Sequence, residues 1–492
     1  MGIENKSANS SLVVGLTFVA TLGGLLFGYD TAVISGAVSS IDAYFVTPQH
    51  LSETAASSLS GWTISSALVG CLIGGLLAAW MSSALGRKGG LIAAAILFLV
   101  GSLGSAVPEL GLGAIGHMGP AALWPFIIYR IIGGIGVGVA SMLSPLYIAE
   151  ISPSAIRGRL VSFNQLAIVG GMLIVYFVNW YIAAQGDDTW LKGTGWRLML
   201  ASEAIPAVIF LLLLLLVPDT PRWLVMRGRN EEALTQLRRV TSEADAKLIL
   251  ADIQRTLEVK DAPLFSFGAG VILVGIMLSV FQQLVGINAV LYYAPLMFQN
   301  MGASTDTSML QTVVVGAANT LFTVVAIVSV DRLGRKPLLI IGALIMAVSM
   351  LALGLLFNAH AVGLGALVAV VAYIGGFALS WGPVVWVLLS EIFPNSIKGW
   401  AMGIAVAAQW AANLLVSWTF KILDGSSALN ALFNHGFAYW IYGGMSLLAA
   451  IFVAWYVPET KGRTLEAIQD LWGHGRAAAA ADGKMQAHKV TS

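Results

Sequence analysis

Twelve runs of about 20 apolar residues, each long enough to cross the hydrocarbon core of a bilayer as a helix, constrain this chain more than anything else in it. They lie near 12–36, 60–82, 89–107, 123–147, 161–183, 197–217, 265–298, 307–329, 337–357, 363–389, 400–421 and 436–457. The runs are long and unalternating, which excludes the strands of a β-barrel. Composition agrees: 58% of the 492 residues are hydrophobic and 10% are charged. Soluble domains carry roughly 25% charged residues, so a soluble enzyme and a disordered regulator are both excluded. A net charge of +1 offers no field for a polyanion, and no nucleic-acid partner is expected. The single cysteine, Cys71, excludes a disulfide framework and any multi-cysteine metal site. The fold expected is an all-α membrane protein whose partner is the lipid bilayer. Nothing at the start of the chain has the pattern of a cleaved signal.

Basic residues orient the spans. With the N-terminus placed inside, Lys192, Arg197 and Lys421 fall outside and Arg130 lies within a span. The other 22 of the 26 Lys and Arg then lie on the inner side, which predicts cytoplasmic termini in an inner (plasma) membrane. The chain divides into a six-helix half (1–217), a linker (218–264), a second six-helix half (265–457) and a tail (458–492). The linker mixes Arg222, Arg227, Glu231, Glu232, Arg238 and Arg239 with Ala233, Leu234, Leu237, Leu248, Leu250 and Ile253. That spacing predicts short amphipathic helices on the cytoplasmic face.

The halves repeat one another. Glu150-Ile-Ser-Pro153 returns as Glu391-Ile-Phe-Pro394, and Arg157-Gly158 as Lys398-Gly399, both 241 residues on. Pro218-Asp-Thr returns as Pro458-Glu-Thr, and Gly86-Arg-Lys as Gly334-Arg-Lys. Two six-span halves in parallel repeat are the pattern of transporters that rock about a central site. The repeated charges predict a cytoplasmic gate. In it Arg87, Glu150, Arg157, Asp219 and Arg222 face Asp331, Arg335, Glu391, Lys398 and Glu459 across the halves.

Three ionisable residues fall deep within spans: Asp30, Arg130 and Glu203. At about 1.5 Å per residue they reach similar depths, so Asp30 and Arg130 can pair. A carboxylate in that setting is a candidate proton carrier tuned by the arginine, with Glu203 in support. Amides form a second group: Gln165, Gln282, Gln283, Asn288, Asn319, Gln409 and Asn413. Each offers donors and an acceptor suited to the adjacent hydroxyls of a sugar, and Trp386 and Trp410 offer faces for its C–H surface. Gly286 and Pro295 predict a broken seventh helix beside Tyr292. Ser380-Trp-Gly-Pro383 predicts a hinge in the tenth. No metal site is expected, because His117, His360 and His435 lack ligand spacing. No cofactor is expected beyond the proton as coupling ion: Gly133-Gly-Ile-Gly136 follows a helix and reads as a helix-packing feature.

Five motifs then resemble the sugar porter family of the major facilitator superfamily. They are Asp331-Arg-Leu-Gly-Arg-Lys336, Tyr129-Arg-Ile-Ile-Gly-Gly134, Pro218-Asp-Thr-Pro-Arg222, Gln282-Gln-Leu-Val-Gly-Ile-Asn288 and Pro458-Glu-Thr-Lys-Gly462. The resemblance implies sugar contacts at Gln165, Gln282, Gln283, Asn288, Trp386 and Gln409, with Tyr292 near the outer gate. It also implies that Asp30, paired with Arg130, takes the proton. The chain departs from the family at Ser83 and Ala84, which lack the acid or amide and the first basic residue, and at Lys398, which replaces an arginine. Met172 is apolar where the family can carry an amide. The expected function is proton-coupled import of a monosaccharide, a pentose such as xylose or a related hexose, by a monomer. Passive facilitation through the same site is the alternative. A non-transporting sugar sensor is a further one, and no nucleophile–base pair suggests an enzyme.

Overall fold

The computed structural model describes residues 10–153, 156–258, 263–361, 363–394 and 397–461. Its spans are Ser11–Gly36, Glu53–Ala84, Gly86–Ala106, Gly119–Ile151, Arg157–Ala183, Asp188–Leu216, Ala269–Asn300, Thr305–Ser329, Arg335–Asn358, Leu364–Ile392, Lys398–Asp424 and Phe437–Tyr456. These are the twelve expected apolar runs, and no strand occurs among the described residues. The second and sixth begin earlier than the hydropathy suggests, because polar first turns extend them. At the sixth, the Asp187 side chain accepts from the Trp190 N–H at 2.8 Å and so caps the helix. Large apolar side chains such as Phe18, Leu216 and Trp455 are exposed on the outside of the bundle, where lipid tails replace water as solvent.

Packing repeats with the sequence. The second and third spans pack on the fourth, the third on the sixth and the first on the fifth. Six spans later, the eighth and ninth pack on the tenth, the ninth on the twelfth and the seventh on the eleventh. The joints between the two sets obey the same symmetry: the second span meets the eleventh, and the fifth meets the eighth. Small residues let the backbones close. A Cβ on Gly134 would collide with the carbonyl oxygen of Ala67, so the Gly133-Gly-Ile-Gly136 stretch is where the fourth span docks on the second.

Three spans are interrupted. The seventh breaks at Gly286, whose φ of 93° is open to glycine, and a Cβ there would strike the Tyr442 ring. The freed carbonyl of Val285 accepts from the Tyr373 hydroxyl at 2.7 Å. Pro295, by contrast, lies inside the helix Ile287–Asn300 and does not break it. Proline removes the donor that the carbonyl four residues earlier would use, and the Tyr176 hydroxyl donates to that Leu291 oxygen at 3.1 Å instead. The tenth span breaks at Ser380 and the sixth turns at Glu203.

Between the sixth and seventh spans run the helices Pro221–Met226, Asn230–Val240 and Glu243–Glu258. The first of these closes the end of the second span, whose last carbonyls have no partner within their own helix. Trp223 Nε1 donates to the Ser83 carbonyl at 3.1 Å, and the Arg227 guanidinium donates to that of Ala84. Ser83 and Ala84, two of the positions where the sequence departs from the family pattern, thus have their carbonyls capped from the linker.

Candidate functional site

The buried charges converge. Arg130 Nη1 donates to Asp30 Oδ1 at 2.9 Å, joining the fourth span to the first, and both side chains are about 3% exposed or less. Glu203 sits at the turn in the sixth span, 1% exposed, with its carboxyl against Asp30 and within electrostatic contact of Arg130. The Tyr29 hydroxyl and Ser202 Oγ, 2.8 Å apart, hold the first and sixth spans together beside it. Asp30 Oδ2, Glu203 Oε1 and Arg130 Nε have no hydrogen-bond partner among the described residues. Two carboxyls therefore share one guanidinium in an apolar interior. A single proton held between the carboxyls makes the cluster neutral, and its departure leaves one uncompensated charge.

Five of the seven amides, Gln282, Gln283, Asn288, Gln409 and Asn413, lie on the seventh and eleventh spans, which pack on each other and on the tenth. Gln282 Nε2 donates to the Trp381 carbonyl at 2.8 Å, fastening the seventh span to the break in the tenth. Asn288 Nδ2 donates to Gln283 Oε1 at 2.7 Å across the Gly286 break. That break is what turns both side chains to one side. Tyr292 is buried, with Asn413 in reach of its hydroxyl and the Asp30–Arg130 pair within electrostatic contact. Gln282 Oε1, Gln409 Oε1 and Trp410 Nε1 are buried with no partner among the described residues. Unpaired buried polar atoms are costly, and two amide acceptors and an indole donor suit a ligand rich in hydroxyls. The Trp410 ring lies 5.7 Å from that of Phe27, an aromatic of the first span that the sequence did not single out. Trp386 is half-buried against the core, and Gln165, on the fifth span, is half-buried with no hydrogen bond among the described residues. Asn319 Nδ2 reaches the Met172 sulfur at 3.9 Å, so the apolar departure at 172 still meets an amide.

On the face where the third and ninth spans begin, the repeated charges pair differently from the expected gate. Arg87 Nη2 meets Glu150 at 2.7 Å and Arg335 Nη2 meets Glu391 at 3.0 Å, each pair within its own set of six spans. The reason is packing. Arg87 and Arg335 open the third and ninth spans, which lie against the fourth and tenth, whose ends carry the two glutamates. Their symmetry mates belong to the other set of six spans. Glu459 accepts the N–H groups of Arg335 and Lys336 at 3.1 and 3.0 Å, capping the ninth span. Lys398 is in electrostatic contact with Glu391, and Asp219 with Lys88 and Arg229. Arg157 and Arg222 have no carboxylate partner among the described residues, and the Asp331 side chain lies outside them.

The opposite face holds charges that sequence reading missed. Arg197 grips Glu109 through two nitrogens at 2.6 and 2.9 Å and lies 4.4 Å over the Trp196 ring. Burial opposes the charge on Glu109, but Arg197 and the Tyr44 hydroxyl at 2.6 Å outweigh it and hold the carboxyl down at about 2. Glu109 is the lone acid of a connection without Lys or Arg, which was the available signal. Lys421 Nζ meets Asp42 Oδ2 at 3.0 Å, across 379 residues of chain.

A family model described as sugar (and other) transporter matches residues 16–472. The D-xylose-proton symporter of Escherichia coli (strain K12) is 55% identical over 477 residues, covering 95% of this chain and 97% of that one. The glucose facilitated diffusion protein of Zymomonas mobilis is 48% identical over 472 residues, covering 95% and 99%. Among solved structures, a partially occluded inward-open conformation of the E. coli xylose transporter XylE superposes with a TM-score of 0.85 at 53% identity, covering 92% of this chain and all of that one. XylE bound to 6-bromo-6-deoxy-D-glucose gives 0.83 at 55% identity, covering 94% of this chain. With the model matched over nearly the whole chain and relatives this similar end to end, the protein belongs to the sugar transporter family.

Proposed function

We propose that the protein carries a monosaccharide and a proton together into the cell, with D-xylose the first sugar to test. The observation that carries this reading is the buried group of two carboxyls and one guanidinium, in electrostatic contact with Tyr292 on the span that also bears Gln282, Gln283 and Asn288. Asp30 and Glu203 hold the proton beside Arg130. Gln165, Gln282, Gln283, Asn288 and Gln409 bind sugar hydroxyls, while Trp386 and Trp410 take its C–H faces and Tyr292 stands at the outer edge. The face where the third and ninth spans begin is cytoplasmic, since it takes most of the Lys and Arg. The proton cluster and the ligand are thereby exposed to one side of a bacterial inner membrane at a time.

A pH gradient imposed across proteoliposomes should drive xylose above its outside concentration. Asp30→Asn should abolish that accumulation and leave sugar exchange at equal concentrations intact. Accumulation surviving in the variant would end the proton assignment. Facilitated diffusion is the second reading, favoured by the 48% identity to a facilitated diffusion protein. Uptake in the unaltered protein that never exceeds equilibrium, with or without a gradient, would establish it.

A further inference from the structure

The geometry points to Asp42 and Lys421 as the latch that holds the outer face of the transporter closed. Asp42 follows the first span and Lys421 lies in the last turn of the eleventh. Their 3.0 Å contact is the one ion pair among the described residues that joins the first six spans to the last six. It lies at one end of the joint between the second and eleventh spans, with supporting bonds around it. The Glu53 carboxylate accepts from the Ser427 N–H, Trp418 Nε1 donates to the Ser58 carbonyl at 3.0 Å, and the Trp62 and Trp418 rings meet at 5.6 Å. At the symmetry-related joint Thr305 Oγ1 donates to Asp188 Oδ1 at 3.2 Å. All of these lie on the face away from the starts of the third and ninth spans. On the cytoplasmic face, the Arg87–Glu150 and Arg335–Glu391 pairs bridge nothing between the halves.

Opening the outer face must part the second span from the eleventh, so the Asp42–Lys421 contact exists in one state and is broken in the other. Such a contact shifts the equilibrium by its differential energy. The pair is partly sheltered, with side-chain exposures of 23% and 13%, and Asp42 Oδ1 has no other partner among the described residues. The two partners are therefore not equivalent. Without Lys421, a sheltered carboxylate loses its ion-pair partner and gains by meeting water. Without the Asp42 charge, the long lysine reaches solvent by itself.

This rests on the alternating-access reading and is independent of proton coupling. The test is correspondingly made without a gradient or a transport assay. Met309, 4% exposed, lines a cavity of about 200 Å³ on the outer side together with Ser35, Ser40 and Gln299. In the full-length protein carrying Met309→Cys, a membrane-impermeant maleimide is applied to right-side-out vesicles. The signal of buried Cys71 in the parent is subtracted. Lys421→Ala should speed labelling about fivefold and Asp42→Asn about twofold, the range expected of one partly exposed ion pair. The swap Asp42→Lys with Lys421→Asp should return the rate to near that of Met309→Cys alone. Because the swap changes both positions, slow labelling in it excludes a damaged fold as the cause in the single variants. Unchanged rates in both single variants, or a swap that labels as fast as they do, would overturn the latch.

Discussion

At the scale of single residues, chemistry here is decided by what a buried polar atom lacks. Asp30 and Glu203 each retain an oxygen without a partner beside one arginine. Arg130→Ala leaves two carboxyls without their cation, and by the usual cost of breaking a buried pair it should lower stability by about 3–5 kcal/mol. Thermal unfolding in detergent measures this, and an unchanged melting point would mean that the pair is not buried. Gln283→Ala removes the amide that orients Asn288 without disturbing the Gln282 bond to the tenth span. Sugar affinity should fall about tenfold, as for one or two lost hydrogen bonds. Equilibrium binding of xylose at its original strength would count against the amide group. Asp30, Arg130 and the amides were legible in the sequence because polar residues stand out in apolar runs. Phe27 was not, since an aromatic in a span is ordinary until its neighbour is known.

At the scale of elements, the interruptions and anchors matter most. The sequence marked both Gly286 and Pro295, yet only Gly286 interrupts its helix, because Tyr176 supplies the donor that Pro295 removes. Gly286→Ala forces a Cβ into a positive-φ position and against Tyr442, and should cost about 1–3 kcal/mol and weaken sugar binding. A melting curve and affinity both unchanged would show that the break is not needed. The connection after the third span is held by Arg197 on Glu109. Folding lowers the Glu109 pKa from 4.5 to about 2, so its contribution is complete above about 4.5 and is lost as the pH falls through 2. Glu109→Gln should flatten the dependence of melting temperature on pH within that window. An identical acid profile in the variant would remove Glu109 from it.

At the scale of the whole molecule, each set of six spans packs mainly on itself, and the two meet along two symmetry-related joints. The linker helices Pro221–Met226 and Asn230–Val240 are secured to the first set, Leu237 and Val240 lining one cavity with Leu12, Leu16 and Ile151. Chains divided between Thr241 and Ser242 and expressed together should therefore reassemble and restore xylose uptake. Absence of uptake with both pieces present in the membrane would mean that the halves need the covalent connection to find each other.

The sequence by itself determined the number of spans, their solvent, the repeat between the halves and which few residues carry charge into the interior. Those follow from local hydropathy and from matches along the chain, and neither needs a neighbour in space. Only the tertiary structure decided who pairs with whom. A repeat offset identifies Arg87 and Arg335 as equivalents, but equivalence under a two-fold axis places them apart, and each meets the glutamate of its own half. The same holds for Glu109 with Arg197 and for Asp42 with Lys421, partners far apart in the chain and brought together by helix packing. An ion pair is fixed by distances of a few ångströms, which helix docking sets and hydropathy does not record.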